Sequence, residues 1–115
     1  MDEALEKALE FSNFTTTLNS QKRILEENYK EDLILYHNGG KFSVTQTLFS
    51  FVANLKLLNV EKTVLVDNNN TPVEIYDVNE FLTLCTNRYA EASNNYLIRY
   101  KDLSKKRNIE GLVDV

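Results

Sequence analysis

The strongest constraint on the fold is a heptad-like pattern in the last third of the chain. Residues 77–107 contain no Gly and no Pro, and apolar or small side chains recur at alternating steps of four and three residues. This period, sustained over about three and a half repeats, is typical of a long helix that packs along one face against another helix. We call the residues that carry it the C-terminal seam: Val78, Leu82, Cys85, Tyr89, Ala92, Tyr96, Arg99 and Leu103.

Both ends of this stretch carry helix-end signals. Asp77 and Glu80 have the spacing of a capping box, in which each side chain bonds to the backbone N–H of the other residue. Lys105, Lys106 and Arg107 form a basic run that suits the negative end of a helix dipole. We therefore predict a helix over residues 78–107.

A second long helix is predicted over residues 2–31. Acidic residues stand at its start, where the helix dipole favours them. Its own apolar pattern is weaker because Thr15 and Lys22 interrupt it. The pattern runs through Ala4, Ala8, Phe11, Thr15, Leu18, Lys22, Leu25 and Tyr29. The polar residues around them compete for backbone hydrogen bonds, so a break near residues 17–20 stays open.

Two hairpins and a middle helix are predicted between the long helices. The first hairpin spans residues 33–43, and its turn contains Asn38-Gly39, a strong hairpin signal. A two-residue loop pairs Leu35 with Phe42, whereas a three-residue loop pairs Tyr36 with Phe42, and both registers stay open. The middle helix spans residues 44–58, with a capping box from Ser43 to Gln46.

The second hairpin spans residues 62–75, where β-branched residues alternate and Pro72 suits an edge strand. The result is an α+β fold of helix, hairpin, helix, hairpin and helix in one domain, 1–115. It has two long amphipathic helices and a small antiparallel sheet. A tail over residues 108–115 is expected to dock through Leu112, Val113 and Val115.

Composition excludes several classes of protein. The 115 residues carry a formal net charge of −4, which disfavours non-specific binding to nucleic acid. One cysteine excludes an internal disulfide and a cysteine-based zinc cluster. The N-terminus has no secretory signal pattern, and no apolar run is long enough to span a membrane. We expect a soluble, cytoplasmic protein.

Neither of the two residues best suited to catalysis has a catalytic setting. His37 directly precedes a hairpin turn, without a neighbouring nucleophile, and is interpreted as structural. Cys85 lies between Leu82 and Tyr89 on the C-terminal seam, where a buried thiol behaves as a small apolar group. No phosphate loop or metal-ligand spacing is present. We predict that the protein is not an enzyme and that it has no cofactor or metal.

The end of the last helix combines basic and aromatic residues. This pattern can contact phosphate groups or an acidic partner. It can equally be a solvated helix end, and we favour that interpretation because Asp102 interrupts it. The candidate anion or nucleic-acid patch consists of Arg99, Lys101, Lys105, Lys106 and Arg107.

Several short segments resemble small uncharacterised proteins of T4-like marine phages. The resemblance implies a viral origin and expression in a bacterial host cytoplasm, and it implies no activity. The segments are LEKALEF at 5–11, LNSQK at 18–22, NGGKFS at 38–43, VLVD at 64–67 and PVEI at 72–75.

The expected function is that of a non-enzymatic interaction or assembly protein. A helix of about 28 residues runs about 42 Å, longer than the diameter of a domain of this size, so its seam faces water unless the N-terminal helix or a second copy covers it. We expect a homodimer or small homo-oligomer. The alternative is a small regulator that binds a host protein or nucleic acid through the basic helix end. The expected interface residues are Cys85, Tyr89, Ala92, Tyr96, Arg99 and Leu103.

Overall fold

The computed structural model describes residues 2–110, apart from the side chains of Phe14 and of residues 107–110. It confirms the α+β class and the predicted order of helices and hairpins. The last helix continues three residues beyond its predicted end at 107, and the predicted docking of Leu112, Val113 and Val115 lies outside the described residues. The elements are α1 (Glu3–Asp32), β1 (Ile34–His37), β2 (Gly40–Ser43), α2 (Gln46–Leu57), β3 (Thr63–Val66), β4 (Pro72–Ile75) and α3 (Val78–Glu110).

The chain divides into two compact units, and each is described by itself. Met1–Asn28 and Asn95–Val115 form what we call the helical unit, and Tyr29–Asn94 forms the hairpin unit. The hairpin unit contains both hairpins, α2 and the first half of α3. The helical unit contains most of α1 and the second half of α3.

Each element of the hairpin unit contributes one of its faces to the core. Alternate residues of the strands point inward, and the first two turns of α3 add Val78, Phe81 and Cys85. The Phe81 ring is fully buried and meets the Phe42 ring edge-on, with the ring centroids 5.3 Å apart. The buried residues are Phe42, Val44, Val52, Leu65, Val73, Ile75, Val78, Phe81 and Cys85.

The first hairpin closes with a two-residue loop. Asn38 and Gly39 both have positive φ, 49° and 77°, as a type I′ turn requires. Leu35 consequently pairs with Phe42, which decides between the two registers that the sequence left open.

The two hairpins form two separate two-stranded antiparallel sheets, whereas the sequence predicted one small sheet. The loop after β3 occupies the outer edge of β2 and takes the place of a third strand. Asp67 accepts a hydrogen bond from the N–H of Lys41 at 3.0 Å, and the N–H of Asn68 donates to the carbonyl of Lys41 at 2.8 Å.

Asp67 also shapes its own loop. Its second oxygen accepts from the N–H groups of Asn69 and Thr71, both at 2.9 Å. The hydrogen bonds from Lys41, Thr71 and Asn69 hold the pKa of this carboxyl below its usual value of 3.8, and desolvation opposes them. The sequence marked this segment as a loop but did not single out Asp67.

The predicted cap of α3 agrees with the structure, and the predicted cap of α2 does not. Asp77 accepts from the N–H of Glu80 at 3.0 Å and begins α3 as predicted. Asn59, at φ 58°, follows the end of α2. The predicted cap at Ser43 is wrong, because Ser43 belongs to β2 and Thr45 accepts from the N–H of Leu48 instead.

Helix α1 is continuous through residues 17–20. The hydroxyl groups of Thr15, Thr16 and Thr17 donate to the carbonyls four residues earlier, at distances of 2.9–3.0 Å. Because this bonding satisfies the hydroxyls within the helix, they do not interrupt its backbone ladder.

Candidate interaction surfaces

The part of the C-terminal seam that lies in the hairpin unit is covered within one chain. Cys85 and Ala92 are 0% and 1% exposed. Tyr89 packs against the core, with its ring centroid 6.3 Å from that of Phe49. Beside Ala92, the Ser93 hydroxyl lies 3.3 Å from the Tyr29 hydroxyl of α1.

The part of the seam that lies in the helical unit is covered by α1. Leu103 on α3 and Leu18 on α1 are both buried. A shallow cleft of about 280 Å³ has Leu25 of α1 and Arg99 of α3 among its lining residues. Tyr96 is half-buried, with its ring centroid 6.4 Å from that of Tyr100.

A single copy of the chain therefore covers most of its own seam. Of the six expected interface residues, Arg99 alone is exposed, and the other five are buried or half-buried. The interruptions at Thr15 and Lys22 made α1 look like a poor cover in the sequence. In the structure Leu18 is buried, and Leu25 lines a cleft together with residues of α3. That these six residues meet a second copy stays a prediction.

The predicted basic patch divides between two sides of α3. Arg99 and Lys106 line the shallow cleft together with Asp102, whose carboxylate lowers the positive charge there. Lys101 and Lys105 are exposed about half a helical turn away, at 100° per residue. The side chain of Arg107 lies outside the described residues. The four described cations consequently do not present one continuous surface.

The two residues considered for catalysis occupy packing positions. The His37 ring lies against Phe81, with the ring centroids 5.2 Å apart. Burial raises the pKa of the Cys85 thiol to about 11, so the thiol stays protonated at neutral pH.

The first three turns of α1 carry an uncovered apolar face. Every described side chain from residue 2 to residue 13 is exposed, and Leu5 and Leu9 remain 51% and 47% exposed. At 100° per residue, the apolar side chains fall within about 160° of the helix circumference, and the charged ones lie on the opposite side. The apolar set, which we call the α1 face, is Ala4, Leu5, Ala8, Leu9 and Phe11.

Only part of the α1 face was predicted from the sequence. The predicted pattern included Ala4, Ala8 and Phe11 but not Leu5 and Leu9, which stand beside it. Their spacing of four residues was the available signal, because residues four apart are neighbours on a helix surface. The charged side is solvated and includes an ion pair between Lys7 and Glu3 at 3.7 Å.

Comparisons with known proteins identify no family for this chain. Neither a scan of protein-family models nor searches of curated proteins and solved structures found a match. Within residues 2–110, no three His, Cys, Asp or Glu side chains are grouped so that they could hold a metal ion. None of the helices in that part of the chain combines the length and apolar character that a membrane span needs.

Proposed function

We propose that this protein is a non-enzymatic interaction or assembly protein that self-associates through its long helices. The resemblance of its sequence suggests a phage-infected bacterial cell as the setting of this role. The observation that carries the proposal is the α1 face, where Leu5, Leu9 and Phe11 each remain about half exposed. Contiguous exposed apolar surface on a helix commonly marks an interaction site.

The chemistry of the α1 face favours a second amphipathic helix as its partner. Leu5 and Leu9 offer aliphatic contact, and the acidic and basic groups stay on the opposite side in water. The α1 face of a second copy has the same composition, so two copies can bury these residues against each other as in a coiled coil. The alternative, a regulator that uses the basic helix end, would depend on phosphate or carboxylate contacts.

The matched pair Leu9→Glu and Lys7→Gln tests the proposal. Both substitutions make the net charge more negative by one unit and keep a good helix former, but only Leu9 lies on the α1 face. About half of Leu9 is still available for burial, and a dimer contains two copies, so Leu9→Glu should weaken association by about 1.5–3 kcal/mol, or roughly 10–100-fold in Kd.

Light scattering at micromolar concentration is the measurement. The wild type and Lys7→Gln should show at least twice the monomer mass of 13.3 kDa, and Leu9→Glu should shift toward the monomer. Equal association of Leu9→Glu and the wild type would contradict the proposal. Steep weakening by salt would favour the regulator instead, since contacts to phosphate are salt-dependent and apolar packing is not.

A further inference from the structure

Strand β3 has a hydrogen-bonded neighbour on one side only. It pairs with β4, and residues 2–110 place no strand on its other side. Asn38 donates to the carbonyl of Glu74 at 2.9 Å, so the backbone of Glu74 points away from β3. Val64 stands opposite Glu74, and backbone direction alternates along a ladder, so the N–H and C=O groups of Val64 and Val66 point to the outer edge.

The other three strand edges of the hairpin unit are protected by side chains. Arg88 donates to the backbone at the edge of β1, Asp67 accepts from the edge of β2, and Asn38 covers the edge of β4. Within the described part of the chain, β3 has no equivalent contact. It also lacks a lysine or a proline, the residues that most often block edge-to-edge pairing.

The surface beside this edge combines exposed valines with a groove that has both apolar and polar lining residues, the polar ones being Ser43, Thr45, Thr47 and Asn68. Val64 and Val66 are 58% and 64% exposed and lie on the same face of β3. Val66 also lines an open groove of about 380 Å³ together with Phe51 and Leu48 of α2. Another extended strand can form backbone hydrogen bonds with the free edge. Apolar side chains on that strand can pack into the groove.

We propose that β3 is a second self-association surface, at which the β3 strands of two copies pair antiparallel and join the two hairpins into a four-stranded sheet. This surface goes beyond the proposed function, because it lies in the hairpin unit and is distinct from the α1 face. The occupant is a second copy, because β3 is self-complementary. With the two-fold axis at Leu65, Val64 of each copy stands opposite Val66 of the other. The outward N–H and C=O groups of these two residues then form hydrogen bonds between the copies.

Side-chain pairing favours this register over its neighbours. If the axis moves to Val64, Glu61 of one copy faces Asp67 of the other, and like charges directly opposite are unfavourable. If the axis moves to Val66, Asp67 faces Leu65. The axis at Leu65 places both valines of each copy opposite valines of the other and keeps the carboxylates apart, whereas an axis at Val64 or Val66 leaves one of the two valines opposite Lys62 or Asn68.

Residue-resolved amide hydrogen exchange of the full-length Leu9→Glu variant tests the proposal. The variant weakens the α1 face, so the two surfaces are examined separately. The amides of Val64 and Val66 should gain protection as the protein concentration rises. The amides of Leu65 and Val73, which already lie in the β3–β4 ladder, should not change. Open exchange of Val64 and Val66 at every concentration overturns the proposal.

A matched pair of substitutions added to Leu9→Glu gives the second measurement. Val64→Lys and Pro72→Lys add the same charge on the same face of the hairpin, but only Val64 lies on β3. Val64→Lys should weaken dimerisation about tenfold or more, whereas Pro72→Lys should change it by no more than about twofold. Equal effects of the two lysines, or protection that appears only with an added peptide or host protein, overturn pairing with a second copy.

Discussion

Substitution of Phe81 by Ala should destabilise the hairpin unit more than any comparable change on its surface. Phe81 is fully buried, and its ring meets the rings of Phe42 and His37 at centroid distances of 5.3 and 5.2 Å. Loss of a buried phenylalanine costs about 3–5 kcal/mol through lost burial and the cavity left behind. Each aromatic contact adds ~0.5–1.5 kcal/mol, which puts Phe81→Ala toward the upper part of that range.

Urea unfolding followed by far-ultraviolet circular dichroism measures this loss. The midpoint should fall while the slope with urea stays the same, because the substitution changes stability and not the surface exposed on unfolding. At about 4 °C per kcal/mol for a chain of this size, the melting temperature should fall by roughly 15–20 °C. Phe51→Ala is the matched control, since Phe51 is 50% exposed and should lose less than half as much.

A loss below about 1 kcal/mol in Phe81→Ala would refute this description of the core, because it is outside the range for a buried ring. A loss in Phe51→Ala equal to that in Phe81→Ala would contradict it as well. In that case the two phenylalanines would be equally buried in solution, and the exposed position of Phe51 beside the groove would be incorrect.

Two further substitutions test local features of the hairpin unit. Thr45→Ala should cost about 1 kcal/mol in urea unfolding through loss of the α2 cap, whereas Thr47→Ala, at the exposed second residue of the same helix, should cost clearly less. The folded state lowers the pKa of Asp67 below 3.8, so its contribution to stability is complete above that pH and is lost as pH falls through the lower, folded-state pKa. Asp67→Asn should reduce stability at neutral pH and flatten the loss below pH 3.8, and Glu10→Gln, on the exposed side of α1, should do neither.

The order of elements was predictable because the local signals agree with one another. The alternation of β-branched residues, the Asn38-Gly39 turn and the cap at Asp77 each depend on residues that are close in sequence. The need for a glycine at position 40, by contrast, depends on a contact that is distant in sequence. A Cβ atom at Gly40 would stand 2.7 Å from Cγ2 of Val73, so packing against β4, and not a positive φ, requires the glycine there.

The separation into two sheets was not predictable, because it too depends on contacts between residues that are distant in sequence. An edge strand shows the same alternation whether its outer side meets a strand or a loop. Here Asp67 and Asn68, which the sequence marks only as loop residues, occupy the edge of β2. The coverage of Leu103 by α1 is likewise a distant contact, since a seam pattern does not state whether its partner belongs to the same chain.

Sedimentation equilibrium of the wild-type protein over micromolar to millimolar concentration tests self-association most directly. The account predicts a mass of at least twice 13.3 kDa at micromolar concentration and above. It also predicts that the doubly substituted Leu9→Glu, Val64→Lys chain stays at the monomer mass throughout. A wild type that remains at 13.3 kDa at every concentration would contradict it.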